Sequence, residues 1–232
     1  MESGYVLHRR RYRETSLIVE FLTRDRGRIA AVARGALRRK SALSGVLQPL
    51  TPLRLDVRGR TELYTLTHAE PDGPAIAITG TRLYSIFYIN ELIMKLTVVH
   101  DPVPMLFDLY AASLVTLAND GPTEPVLRTF ERQLLNIIGL GMNLDCDADT
   151  GEAVTAGTTY DYIADRGPLA APAAGGFRVQ GSTLLALGGQ RAWGEIESRE
   201  AKRLMRYVLD HHLDGRPLAA RDLFTASRTR KS

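Results

Sequence analysis

The chain has 232 residues, 44% of them apolar and 24% charged, with one cysteine and a formal net charge of +4. That length supports one large domain or two modest ones with real cores, and the composition excludes a disordered chain and a disulfide framework. No apolar run approaches the ~18 residues of a membrane-spanning helix. The opening MESGYVLHRRRYRE has an acid at position 2 and no apolar stretch, so it does not read as a secretory signal, and a cytoplasmic protein is expected.

The first 70 residues read as strands. A first strand is placed near Tyr5–His8, and Thr15–Thr23 (TSLIVEFLT) is rich in β-branched and large apolar residues. Asp25-Arg26-Gly27 is a hairpin turn signal, after which Arg28–Arg34 alternates, with Ile29, Ala31 and Ala33 on one face. Thr51–Val57, the turn Arg58-Gly59-Arg60 and Thr61–Ala69 read as another hairpin. Five short strands left as an open sheet would expose edges, so a small barrel of the OB type is the economical solution.

Pro71-Asp72-Gly73-Pro74 ends this pattern, and from Thr81 apolar residues recur at helical spacing to about Val99. Met105–Leu117 and Pro125–Ile138 follow as helices, the latter closed by Gly139 and Gly141. Residues 151–189 are rich in Gly, Ala, Thr and Pro and read as irregular, with room for one short hairpin. Ile196–Leu213 is a last long helix, and the closing ASRTRKS reads as frayed. The expected architecture is α+β in two domains: a barrel over residues 1–79 and a helical domain over 80–232.

Charge is distributed unevenly. Residues 1–40 hold eleven Arg/Lys against four Asp/Glu, a net of +7, so the remaining residues net −3. Arg9, Arg10, Arg11 and Arg13 flank the first strand, Arg24, Arg26 and Arg28 surround the first hairpin, and Arg34, Arg38, Arg39 and Lys40 follow the third strand. Such a basic surface suits nucleic acid, a membrane or an acidic protein. OB-type barrels bind single strands in a cationic groove with aromatic stacking, for which Tyr5, Tyr12, Phe21 and Tyr64 are available, Phe21 fitting the core better. The rival reading is a scaffold whose basic barrel binds acidic partner proteins.

No catalytic constellation is found. A phosphate-binding Gly-x-x-x-x-Gly-Lys-Ser/Thr, a Gly-x-Ser-x-Gly elbow and a His-Glu-x-x-His pair are all missing. His211 and His212 are adjacent, which directs them to different sides of a helix and makes them poor joint metal ligands. DCDADTGE, with Asp145, Asp147, Asp149 and Glu152, fails as an EF-hand, because Thr150 and Ala156 stand where Gly and Glu are required. Turn formation by the Asp side chains is expected instead. On the third helix Leu127, Phe130, Leu134, Ile137 and Ile138 form one apolar face, with Arg128 and Arg132 on another and Leu135 between. That edge suits either an acidic, hydrophobic peptide or plain solvent.

Several blocks, in order, resemble the bacterial recombination mediator family RecO. They are YVLHRR, ETSL, GRIAAVARGA, SALSGVLQPLTPL and GRTELYTLTHAE, then LYSIFYINEL, LRTFERQLLNIIGLG, GEAV and TYDY. The resemblance implies an amino-terminal OB-fold, a helical carboxy-terminal domain and a non-enzymatic, nucleoid-associated DNA repair protein without a cofactor. It implies binding of single- and double-stranded DNA, annealing of complementary strands, docking on the tail of single-strand-binding protein (SSB), and loading of RecA together with RecR. Family DNA contacts map to Arg34 and Arg38, and the basic set as a whole gives Arg9, Arg11, Arg28, Arg34, Arg38, Arg39 and Lys40 as DNA-binding candidates. The resemblance gives Arg128 as the candidate for the SSB tail's carboxylate, and the cationic, apolar edge of the third helix adds Arg132 and Leu135 as tail-binding candidates. Some members carry a four-cysteine zinc module, which this chain, having only Cys146, cannot form, so stability without metal is expected.

Overall fold

The computed structural model describes residues 1–59, 62–119 and 121–229, with side chains as far as 224. Arg60 and Thr61 of the expected second hairpin, and residues 230–232 of the expected frayed end, lie outside the described residues.

The period-2 pattern produces a closed barrel in the order β1-β2-β3-β5-β4. Its strands are β1 (Glu2–Tyr12), β2 (Ser16–Thr23), β3 (Gly27–Ala33), β4 (Leu53–Arg58) and β5 (Leu63–Pro71). All neighbours are antiparallel except β3 and β5, and β1 returns to β4 through Glu2 opposite Leu55, which removes the free edges. This is the OB-like barrel expected from the sequence. Val6, Leu17, Val19, Phe21, Ile29, Leu53 and Leu55 fill its interior. β1 is longer than its apolar core predicts, because its arginine-rich half continues as a hairpin with β2 after a register shift between Val6 and His8. A short helix, α1 (Leu43–Val46), lies between β3 and β4.

The chain forms two compact units, Met1–Gly121 with Leu218–Ser232, and Pro122–Pro217. In the first, the barrel is joined by α2 (Thr81–Leu96), α3 (Pro104–Ala118) and α7 (Ala220–Thr229). Asn90 of α2 donates to Leu7 O at 2.8 Å and accepts from the Tyr110 hydroxyl of α3 at 2.9 Å, so a buried amide is satisfied on both sides. Tyr5 packs its ring on Phe107 and Tyr110. The amino end of α7 meets Glu91 of α2, whose two carboxylate oxygens accept from Ala219 N at 3.0 Å and Ala220 N at 2.8 Å. A carboxylate there suits the helix dipole.

The Arg24–Arg26 turn docks on the segment that follows α2. His100 N donates to Arg28 O at 2.9 Å, and Asp101 approaches Gly27 so closely that a Cβ would stand 1.9 Å from Asp101 O. Gly27 also has φ of +65°, a left-handed conformation that suits glycine. Gly27→Ala is expected to lower stability by about 1–3 kcal/mol in urea unfolding; an unchanged midpoint would show that this contact does not hold the turn.

The second unit contains α4 (Thr123–Ile137), a sheet in the order β7-β6-β8, α5 (Gly181–Gly188) and α6 (Glu195–His212). The sheet strands are β6 (Thr159–Ile163), β7 (Gly167–Leu169) and β8 (Phe177–Gln180), so the segment read as irregular holds a three-stranded sheet and a helix. Leu127, Phe130 and Leu134 of α4 and Leu204, Met205 and Val208 of α6 are buried. Asp147 accepts from Asp149 N at 2.8 Å and Thr150 N at 2.9 Å, and its other oxygen from Ala170 N at 2.6 Å, which is the turn-forming role expected of the acidic stretch. These backbone bonds hold its carboxyl below the usual range. His211 and His212 do not diverge as expected, because both reach Asp165, whose two oxygens serve one ring each. Among the described residues no helix is long and apolar enough to cross a membrane.

Candidate nucleic-acid interface

Strand register divides the barrel's cations into two groups. Gly4 faces Thr23 and Thr23 faces Gly27, so Glu2–Gly4 and the Arg24–Arg28 turn share one end. Arg11 faces Leu17 and Leu17 faces Ala33, so Arg9–Arg13 and the segment from Arg34 share the other.

At the first end Arg24, Arg26 and Arg28 each have an acidic partner. Arg24 forms a two-pronged bridge to Asp108 of α3 at 2.6 and 3.1 Å, and Arg26 pairs with Glu2 at 3.2 Å. Burial pushes the Glu2 carboxyl up, against the pull of Arg26 beside it. Arg28 pairs with Glu20 at 3.5 Å, donates to Thr97 O at 3.1 Å and is half-buried. Arg28 therefore stands apart from the other six DNA-binding candidates, and its charge is neutralised.

The opposite end is different. Residues 9–15 and 34–40 carry eight Arg/Lys and a single carboxylate, Glu14. Arg9, Arg10, Arg11, Arg13, Arg34, Arg38, Arg39 and Lys40 are all exposed, and none has an acidic side chain in ion-pair reach among the described residues. Leu37 N donates to Thr15 O at 2.9 Å, which stitches the loop after β3 to the β1–β2 turn and brings the two basic segments together. Ala36 is fully buried and Leu37 packs on the barrel core, so the loop is pinned at its middle and Arg38, Arg39 and Lys40 remain outside. Gly35, at φ of +68°, turns the chain so that the Arg38 side chain lies over it, 3.4 Å from where a Cβ would stand.

Arg9 and Arg11 lie opposite Val19 and Leu17, whose side chains enter the core, and directly opposed residues point to the same side. Both cations thus leave β1 toward the loop after β3, and Arg9 Nη1 donates to Leu47 O at 3.0 Å. Of the four aromatic candidates, Phe21 is core and Tyr5 is buried against α3, while Tyr64 lies under Arg26. Tyr12, half-buried with Arg13 at 5.1 Å over its ring, is the aromatic at the open cationic end. Arg10 and Arg13, contiguous with Arg9 and Arg11, belong to this end as well.

The α4 candidates separate too. Arg128 does not stand on an open flank, because it is 4% exposed and paired with Glu131, itself fully buried. Spacing of three residues puts the carboxylate beside the guanidinium on one helix face, which lets both leave water together. Leu135 is fully buried. Arg132 is half-buried, and its Nε is shielded from solvent without a hydrogen-bond partner among the described residues.

Residues 1–74 match the family model described as "Recombination protein O N terminal", and residues 79–222 match "Recombination protein O C terminal". The chain belongs to the RecO family. It is 44% identical to the DNA repair protein RecO of Methylococcus capsulatus over 98% of this chain and 93% of that protein. It is 40% identical to the Nitrosococcus oceani protein of the same name, over 98% of this chain and 94% of that one. The RecO of an Azoarcus species is 43% identical over 95% of this chain and 93% of its own. The two family matches divide between residues 74 and 79, whereas the compact units part at Gly121, with α2 and α3 in the same unit as the barrel.

Proposed function

We propose that this protein is a non-enzymatic DNA repair protein of homologous recombination that binds single- and double-stranded DNA and anneals complementary strands. In the same reading it docks on the SSB tail and helps load RecA with RecR. The observation that carries the proposal is the cationic end of the barrel, where Arg9 and Arg11 of β1 meet Arg34, Arg38, Arg39 and Lys40 of a pinned loop, all exposed and without an acidic partner among the described residues. Two strands repel each other through their phosphates, and a surface that neutralises both lets them approach and pair. Annealing makes and breaks no covalent bond, so no acid, base or nucleophile is needed. Arg28 is left out of the proposed contact set because Glu20 already neutralises it.

For the SSB tail, Arg132 is the proposed partner of the terminal carboxylate, since Arg128 is buried in its pair with Glu131 while Arg132 is only half-buried. Docking there would raise the local concentration of the barrel over coated strands. Affinity for a single-stranded oligonucleotide should fall with a slope of about −0.7 in log K against log salt for each phosphate neutralised. A curve flat between low and moderate salt would defeat phosphate neutralisation. A slope equally steep for an acidic protein, with no annealing of SSB-coated strands, would favour a scaffold for acidic partners.

A further inference from the structure

We propose that Asp165, His211 and His212 bind one divalent transition-metal ion of the zinc class. Asp165 follows β6 in the turn to β7, and the two histidines end α6, all within the second compact unit. One ligand atom from each lies within 4.8 Å of the others. Asp165 Oδ2 is 2.6 Å from His211 Nε2, and Asp165 Oδ1 is 4.0 Å from His212 Nδ1. These values bracket the ~3.3 Å that separates two ligands of a tetrahedral zinc ion with bonds of ~2.0–2.1 Å.

Adjacent helical histidines converge here because one ring offers its far nitrogen and the other its near one. The rings meet edge to face, 5.2 Å apart and inclined at 75°. The carbonyls at the end of α6 add negative potential, which favours a cation. Two imidazoles with one carboxylate suit zinc, and do not suit calcium or magnesium, which prefer oxygen donors throughout. Side chains of Asp165 and His211 are 64% and 48% exposed, so an ion enters from solvent and water completes its coordination. The ion would clip the β6–β7 turn to the end of α6 across 46 residues of chain.

The test is calorimetric titration of the full chain with Zn²⁺, paired with thermal unfolding. One ion per chain is expected, with Tm raised by roughly 5–10 °C at zinc a hundredfold above Kd. Asp165→Asn and His211→Ala, both at exposed positions, should each weaken binding at least about tenfold and remove the Tm shift. His68→Ala in the other unit should change nothing. The proposal is overturned if no saturable binding is found, if binding survives Asp165→Asn combined with His211→Ala, or if Mg²⁺ raises Tm as much as Zn²⁺.

Discussion

The variant R34A/R38A/R39A/K40A is expected to bind a single-stranded oligonucleotide about 100-fold more weakly than the parent at physiological salt and to lose strand annealing. Each cation that meets a phosphate contributes about 0.7 to the salt slope on single strands, so removing all four flattens it by up to about 3. The four side chains are exposed and unpaired among the described residues, while Ala36 and Leu37 keep the loop attached. Unfolding free energy should therefore stay within about 0.5 kcal/mol per site. Fluorescence anisotropy over a salt series, with annealing of complementary oligonucleotides, reads both effects. A companion variant, R24A/R26A, removes cations that already have acidic partners and should leave the salt slope unchanged. If the four-alanine variant anneals normally, the proposed surface is wrong; if R24A/R26A fails alongside it, the division into an open and a paired end is wrong.

The second large effect concerns stability. Arg128→Ala removes the guanidinium that pairs with the buried Glu131 carboxylate in the second unit, which should cost about 1–3 kcal/mol. The double change R128M/E131L removes both charges at similar volume and should recover most of that loss, because a buried ion pair is worth little against a packed apolar pair. Arg132→Ala should stay within about 1 kcal/mol of the parent while losing affinity for an SSB-tail peptide. Urea unfolding and peptide titration of the three variants separate the roles. Arg128→Ala as stable as the parent would mean that the pair is not desolvated, and Arg132→Ala with intact peptide binding would move the tail elsewhere.

Much of the fold is legible in the sequence because its signals are local. Alternation in GRIAAVA and helical spacing from Thr81 each encode one element, over 7 and 16 residues respectively. The small sheet around Tyr162 and the helix GSTLLALG are obscured by the glycines and prolines that surround them. The pairing of charges was illegible for a different reason. Arg24 looks no different from Arg38 in the chain, yet its partner Asp108 lies 84 residues away. Arg128 reads as a surface cation in the sequence because charged residues are seldom buried unless paired. The nearby Glu131 was the clue, but spacing alone does not say which helix face leaves water.

The return of α7 to α2 bears on how this protein is made. Unit 2, Pro122–Pro217, is inserted into unit 1, whose final helix is synthesised last. At about 5–20 residues per second, the ribosome needs roughly 5–20 s after Gly121 before Leu218 appears. During that interval Tyr84 and Tyr88, which pack on Phe224, and Glu91, which receives the amino end of α7, remain uncovered on the nascent chain. The inserted unit can fold meanwhile, so the first unit to begin synthesis is the last to be completed.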